Sequence, residues 1–181
     1  FDSNRRSDLA VFRNGTWYVQ YQAGLPLALM EFGNQTDKAV PADYDGDKKT
    51  DLAVYRSGVW WVWQSGTGSM TAFQWGTAGD IPVPADYDGD GKSDIAIYRP
   101  NGPGGAEWWV RRSSNASVFA LQFGTSTDKA VPGDFTGDGK ADVAFWRPAT
   151  GFWNVLRSED FSYYAFPFGA NGDIASAGDY D

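Results

Sequence analysis

Apolar and polar residues alternate with a period of two in short runs along the chain, and no segment sustains a helical period. The runs recur in a fixed order. A Val/Pro-rich segment, such as Val40-Pro41-Ala42-Asp43-Tyr44 or Val83-Pro84-Ala85-Asp86-Tyr87, predicts a first strand, A. Its proline suits a strand start or an edge, where no ladder hydrogen bond is lost. An acidic stretch leads to strand B: Asp8-Leu9-Ala10-Val11-Phe12-Arg13, Asp51-Leu52-Ala53-Val54-Tyr55-Arg56, Asp94-Ile95-Ala96-Ile97-Tyr98-Arg99 and Asp142-Val143-Ala144-Phe145-Trp146-Arg147. Both faces of strand B are apolar, so it is expected to be covered on both sides. After a variable Gly-containing turn, strand C carries Trp17, Trp60, Trp108 or Trp153, followed two residues later by Val19, Val62, Val110 or Val155. Strand D ends in Phe32-Gly33, Trp75-Gly76, Phe123-Gly124 and Phe168-Gly169, its aromatic always 15 residues after the strand C tryptophan.

Four short antiparallel strands in a repeat of 43 to 48 residues match a β-propeller blade. A β-sandwich also alternates, but it does not require four equivalent units. The expected fold is all-β: a single β-propeller domain over 1–181 of four four-stranded blades. The repeats run approximately 1–43, 44–86, 87–134 and 135–179, and one blade is split between the termini, with 174–181 completing the first. Residues 174–180 are expected to pair alongside 8–13, either closing a ring within one chain or joining chains by strand exchange.

The candidate chemistry lies between strands A and B. Asp86-Tyr87-Asp88-Gly89-Asp90-Gly91-Lys92-Ser93-Asp94 places carboxylates at positions 1, 3, 5 and 9 and glycines at 4 and 6. A hard cation such as Ca²⁺ takes six to eight oxygens, which a tight loop supplies from alternate side chains. The Lys92 carbonyl at position 7 would complete the set. An Asp-Gly hairpin turn explains the glycines, but not four mutually repelling aspartates. The stretch recurs with Asp43, Asp45, Asp47, the Lys49 carbonyl and Asp51, and again with Asp134, Thr136, Asp138, the Lys140 carbonyl and Asp142. Lys48 replaces the glycine at position 6 of one copy, and Thr136 a carboxylate in another. A broken fourth copy, Asp179-Tyr180-Asp181 with Asp2 to Asp8, carries Ser3 and Arg5 where glycines are expected. About three Ca²⁺ sites are expected, with a fourth at the split copy.

Composition narrows the chemistry. With no cysteine and no histidine, disulfides, thiolate sites, histidine bases and most zinc or iron centres are excluded. A net charge of −8 argues against nucleic acid as a partner, and no apolar run is long enough for a membrane span. Three bound Ca²⁺ would bring the charge to −2. No secretory leader precedes the first repeat, and the chain reads as a processed piece of something longer.

The Phe-Gly before each unit and the Asp-x-Asp-Gly-Asp-Gly-x-x-Asp loop resemble the FG-GAP/VCBS repeats of integrin α-chain propellers and of many bacterial extracellular proteins. The resemblance spans the whole chain. It implies Ca²⁺ held by Asp86, Asp88, Asp90, the Lys92 carbonyl and Asp94, and an extracellular, non-enzymatic binding or adhesion module. Its partner would be a glycan or protein on a cell surface or matrix. Tyr18, Trp61 and Trp109 are of the kind that stack on sugars, or that fill gaps between blades. A structural unit assembling head to tail is the alternative. An enzyme would have to draw on Glu31, Glu107, Glu159 and Asp160, which break the repeat. Sequons at Asn14, Asn34 and Asn115 would matter only in a glycosylating host.

Overall fold

The computed structural model describes residues 8–21 and 26–178. Among them there is no helix, and thus none long and apolar enough to cross a membrane. The chain forms two compact units, residues 1–78 and 79–181, each holding two antiparallel sheets.

In the first unit, β1 (Leu9–Arg13), β2 (Thr16–Gln20) and β3 (Ala28–Glu31) form a three-stranded sheet. A four-stranded sheet follows, of β4 (Lys38–Ala39), β5 (Leu52–Arg56), β6 (Val59–Trp63) and β7 (Met70–Gln74). The second unit repeats the four-stranded order twice. One sheet holds β8 (Ile81–Pro82), β9 (Ile95–Gly102), β10 (Gly105–Arg111) and β11 (Val118–Gln122); the other holds β12 (Lys129–Ala130), β13 (Val143–Arg147), β14 (Phe152–Leu156) and β15 (Tyr163–Pro167). Each four-stranded sheet is an up-and-down meander of strands A, B, C and D, the pattern of a propeller blade, and the three-stranded sheet holds B, C and D in the same order.

Strand A begins earlier and is shorter than the sequence suggests. Its ladder covers Lys38–Ala39, continues through Val40 N–H to Ala53 O at 2.9 Å, and resumes at the Ala42–Asp51 bridge. Pro41 interrupts it, having no N–H to donate; Ala85–Asp94 and Gly133–Asp142 form the matching bridges in the second unit. The first sheet has no strand A among the described residues. Residues 174–178 carry no strand, and the rest of the expected pairing segment, 179–181, lies outside the described residues.

Strand B is buried on both faces in β5, β9 and β13, and the recurrent Ala53, Ala96 and Ala144 are fully buried. β1 departs from this. It is the edge of its sheet, and Leu9 and Val11 are 75% and 57% exposed. The fixed face of strand C forms the joint between sheets. Trp17 and Val19 of β2 meet Leu52 and Val54 of β5 in the first unit. In the second, Trp108 and Val110 of β10 share a core with Ala141 and Val143 at the start of β13. The tryptophans also explain the constant interval. Indole Nε1–H of Trp17, Trp60, Trp108 and Trp153 donates to the carbonyl of Phe32, Trp75, Phe123 and Phe168 at 2.9–3.0 Å, always 15 residues on. A buried indole N–H needs such an acceptor, and this one ties the C–D hairpin shut.

Candidate functional site

Each acidic loop is a knot of carboxylates and backbone N–H groups. Position 1 folds the loop upon itself: Asp43 accepts from Gly46 and Lys48 N–H at 2.7 and 2.8 Å, and Asp86 from Gly89 and Gly91 at 2.6 and 2.8 Å. Asp134 accepts from Gly137, Asp138 and Gly139. Desolvation is the largest influence on Asp134 and pushes it up, but N–H groups of residues 136–139 together outweigh it and hold the carboxyl below its ordinary range. Position 2 turns the other way, into the core: Tyr87 is buried, and Tyr44 and Phe135 lie edge-on to Trp60 and Trp153.

Position 9 is fully buried. Asp51 accepts Tyr44 N–H and Ser65 N–H at 2.8 and 2.7 Å; Asp94 does the same with Tyr87 and Ser113 at 2.9 and 2.7 Å. Asp142 accepts from Phe135 and Ser158 at 2.9 and 2.7 Å. Burial pushes the Asp51 and Asp94 carboxyls up, partly offset by these N–H groups. The serines do a second job. Their hydroxyls donate to position 5: Ser65 to Asp47 at 2.9 Å, Ser113 to Asp90 at 2.8 Å and Ser158 to Asp138 at 3.1 Å. Position 3 is met from the same C–D turn, Asp45 by Gly66 N–H at 3.1 Å and Asp88 by Ser114 Oγ at 2.5 Å. At position 7, Lys49, Lys92 and Lys140 donate their N–H to the position 5 carboxylate at 2.8–2.9 Å.

Two of the three loops gather carboxylates tightly enough for one ion. Oxygens of Asp43, Asp45 and Asp51 lie within 4.8 Å of one another, as do those of Asp86, Asp88 and Asp90. Among the described residues the 134–142 loop forms no such group, as its Thr136 hydroxyl foreshadows. The split fourth copy falls mainly on 1–7 and 179–181, outside the described residues.

A family model described as an FG-GAP-like repeat matches residues 43–97 and 86–145, together more than half of the chain. The chain belongs to the FG-GAP-like repeat family. Its sheets are FG-GAP β-propeller blades, and the matched residues hold all three acidic loops. No curated protein shows significant sequence similarity to it.

The FG-GAP blades also pair a second aspartate that recurs outside the loops. The recurrent Asp37, Asp80 and Asp128 each clasp a strand B arginine 19 residues on, Arg56, Arg99 and Arg147, through two hydrogen bonds of 2.5–2.9 Å. Those or neighbouring arginines cover the candidate sugar-stacking rings: Arg13, Arg56 and Arg99 lie over half-buried Tyr18, Trp61 and Trp109 at 5.3–5.9 Å. The fourth blade has buried Asn154 at that position, hydrogen-bonded by the Tyr163 hydroxyl at 2.8 Å. The four acidic residues that break the repeat each have surroundings of their own. Glu31 is exposed on β3; Glu107 accepts Trp109 Nε1–H at 3.0 Å; Glu159 lies 3.6 Å from Arg157; Asp160 accepts Ser162 N–H at 2.7 Å.

Proposed function

We propose that the chain is a calcium-stabilised, non-enzymatic binding or adhesion module that works outside the cell, on a glycan or protein ligand. The observation that carries the calcium assignment is the pair of carboxylate clusters. Three anions within 4.8 Å repel one another, and among the described residues no lysine or arginine pairs with Asp43, Asp45, Asp86, Asp88 or Asp90. An all-oxygen donor set without nitrogen or sulfur suits Ca²⁺. Asp43, Asp45 and Asp51 would hold one ion and Asp86, Asp88 and Asp90 another. Bound there, Ca²⁺ supplies charge neutralisation and a cross-link between strands A and B. The chain's own part is to orient the carboxylates through the serine and glycine donors of the C–D turn. Sites of this kind fill where Ca²⁺ is millimolar, which favours the extracellular reading.

An ion bound only by the folded state adds about 2.7 kcal/mol at a hundredfold excess over Kd. Excess EGTA is therefore expected to lower the melting temperature by several degrees. Asp88→Ala is expected to cost more than Asp138→Ala, because only the first belongs to a three-carboxylate group. Mg²⁺ should rescue poorly, since it demands octahedral geometry and keeps its waters. A melt unchanged by chelator overturns the calcium assignment. The exposed edge of β1 favours a second role, self-association.

A further inference from the structure

The 134–142 loop keeps the fold of an acidic loop without gathering three carboxylates among the described residues. Its last residues turn instead to the loop before it. Three positions of the 86–94 loop bear on residues 140–143 of the fourth blade. At position 1, the Asp86 carbonyl accepts Ala141 N–H at 2.6 Å. At position 2, Tyr87 is buried in one core with Ala141 and Val143. At position 4, the aliphatic stem of Lys140 lies over Gly89: a Cβ there would stand 3.1 and 3.2 Å from Lys140 Cγ and Cε. Gly137 holds the same position in the last loop, and a Cβ there would meet nothing within 4 Å. Lys140 thus serves two loops, its N–H donating to Asp138 of its own and its side chain covering the third blade's.

Asp86, Asp88 and Asp90 are the carboxylates that lie within 4.8 Å of one another. They repel when the cluster is empty. An ion drawn among them fixes the backbone of 86–90, which is the stretch that residues 140–143 hold from the other side. Where one contact joins two loops, a ligand that favours one arrangement of the first favours the matching arrangement of the second, and the coupling is reciprocal. We propose that the third-blade site extends across the joint: Ca²⁺ held by Asp86, Asp88 and Asp90 also orders the 134–142 loop, which takes no ion of its own. Lys140 is the positioning residue that carries the order across. The proposal rests on the calcium reading and gives one of its sites a second blade.

The test is a Ca²⁺ titration of the full chain, first stripped with chelator, followed by amide NMR. The reporters are Gly89 and Gly91 of the third blade and Gly137, Gly139 and Ala141 of the fourth. All five amides are expected to shift along one saturable curve with a single midpoint. Asp88→Asn should raise that midpoint at least tenfold, by the same factor in both loops. Should that variant unfold, Asp90→Asn, at the exposed member of the cluster, should do the same. Lys140→Ala should at least halve the shifts at Gly137 and Gly139 while Gly89 and Gly91 still saturate. Shifts confined to the third blade overturn the proposal and leave the calcium assignment standing. So does a separate midpoint in the fourth blade that Asp138→Ala removes, since that loop would then hold its own ion. Full-size shifts at Gly137 and Gly139 in Lys140→Ala overturn it as well. No shift in either loop removes the calcium assignment and the proposal with it.

Discussion

Lys48 sits at φ 66°, where the equivalent loops place Gly91 and Gly139 at φ 85°. A side chain in that left-handed region costs about 1 kcal/mol, partly offset because glycine loses more entropy on folding. Lys48→Gly is therefore expected to stabilise by roughly 0.5 kcal/mol or more in urea melts, and Gly91→Lys to destabilise. A loss of stability in Lys48→Gly would show that the lysine makes a compensating contact. Lys48 was legible as a misfit from the loop register alone. The alternation of acidic residues also pointed to the clustering of Asp43 with Asp45 and of Asp86 with Asp88 and Asp90. The role of Asp51, Asp94 and Asp142 was not legible. Each uses both oxygens on N–H groups, one from a serine of the C–D turn. Those serines follow the position 5 aspartates at intervals of 18, 23 and 20 residues, so no spacing from the loop reveals them. Only counting five residues on from Trp60, Trp108 and Trp153 reaches Ser65, Ser113 and Ser158.

Between elements, the constant intervals in the sequence turn out to be hydrogen bonds. The 15-residue step is the indole N–H to carbonyl bond across the C–D hairpin. The 19-residue step joins the aspartate before strand A to the arginine closing strand B, and it holds although the repeat length varies from 43 to 48 residues. Asp37, Asp80 and Asp128 recur at one repeat position, but an exposed arginine at a strand end gives no sign of its partner. The clasp is asymmetric in burial: Asp128 has no exposed side-chain surface, whereas Arg147 keeps 35%. Removing the arginine strands a buried carboxylate, which costs about 3–5 kcal/mol in fully buried pairs. With the arginine one-third exposed, Arg147→Leu is expected to cost about 2–3 kcal/mol. Asp128→Asn, whose single amide oxygen can still accept from Arg147 Nη2 and Thr125 N–H while its NH2 meets Arg147 Nε–H, leaves no buried charge unpaired and should cost less. A loss below 1 kcal/mol for Arg147→Leu in chemical denaturation would make the clasp ornamental. Strand A was misplaced by two residues for a related reason. Its proline marked the segment correctly, but it breaks the ladder there instead of opening it.

At the scale of the molecule, a repeat protein buries each blade's apolar faces against its neighbours, and β1 is where that rule is visibly unmet. Val11 is 57% exposed, while its repeat equivalents Val54 and Ile97 are each 1% exposed. An apolar strand at the edge of its sheet is a template for another strand. Residues 174–178 continue the chain at the repeat position of strand A but form none, and Ile174 is 95% exposed. These two features suit each other across copies: the strand A segment of one chain against β1 of a second. Net charge opposes the encounter, since two chains of −8 repel, and bound Ca²⁺ would relieve it. Light scattering on the calcium-loaded chain is thus expected to give a mass above 19.8 kDa that falls toward it on dilution or chelation. Val11→Lys should abolish the association without lowering the melting temperature of the monomer. Val54→Lys, the same change where the residue is buried, should lower it by ten degrees or more, because a buried unpaired charge costs several kcal/mol. A monomer at every concentration, or association that survives Val11→Lys, removes β1 as the docking edge.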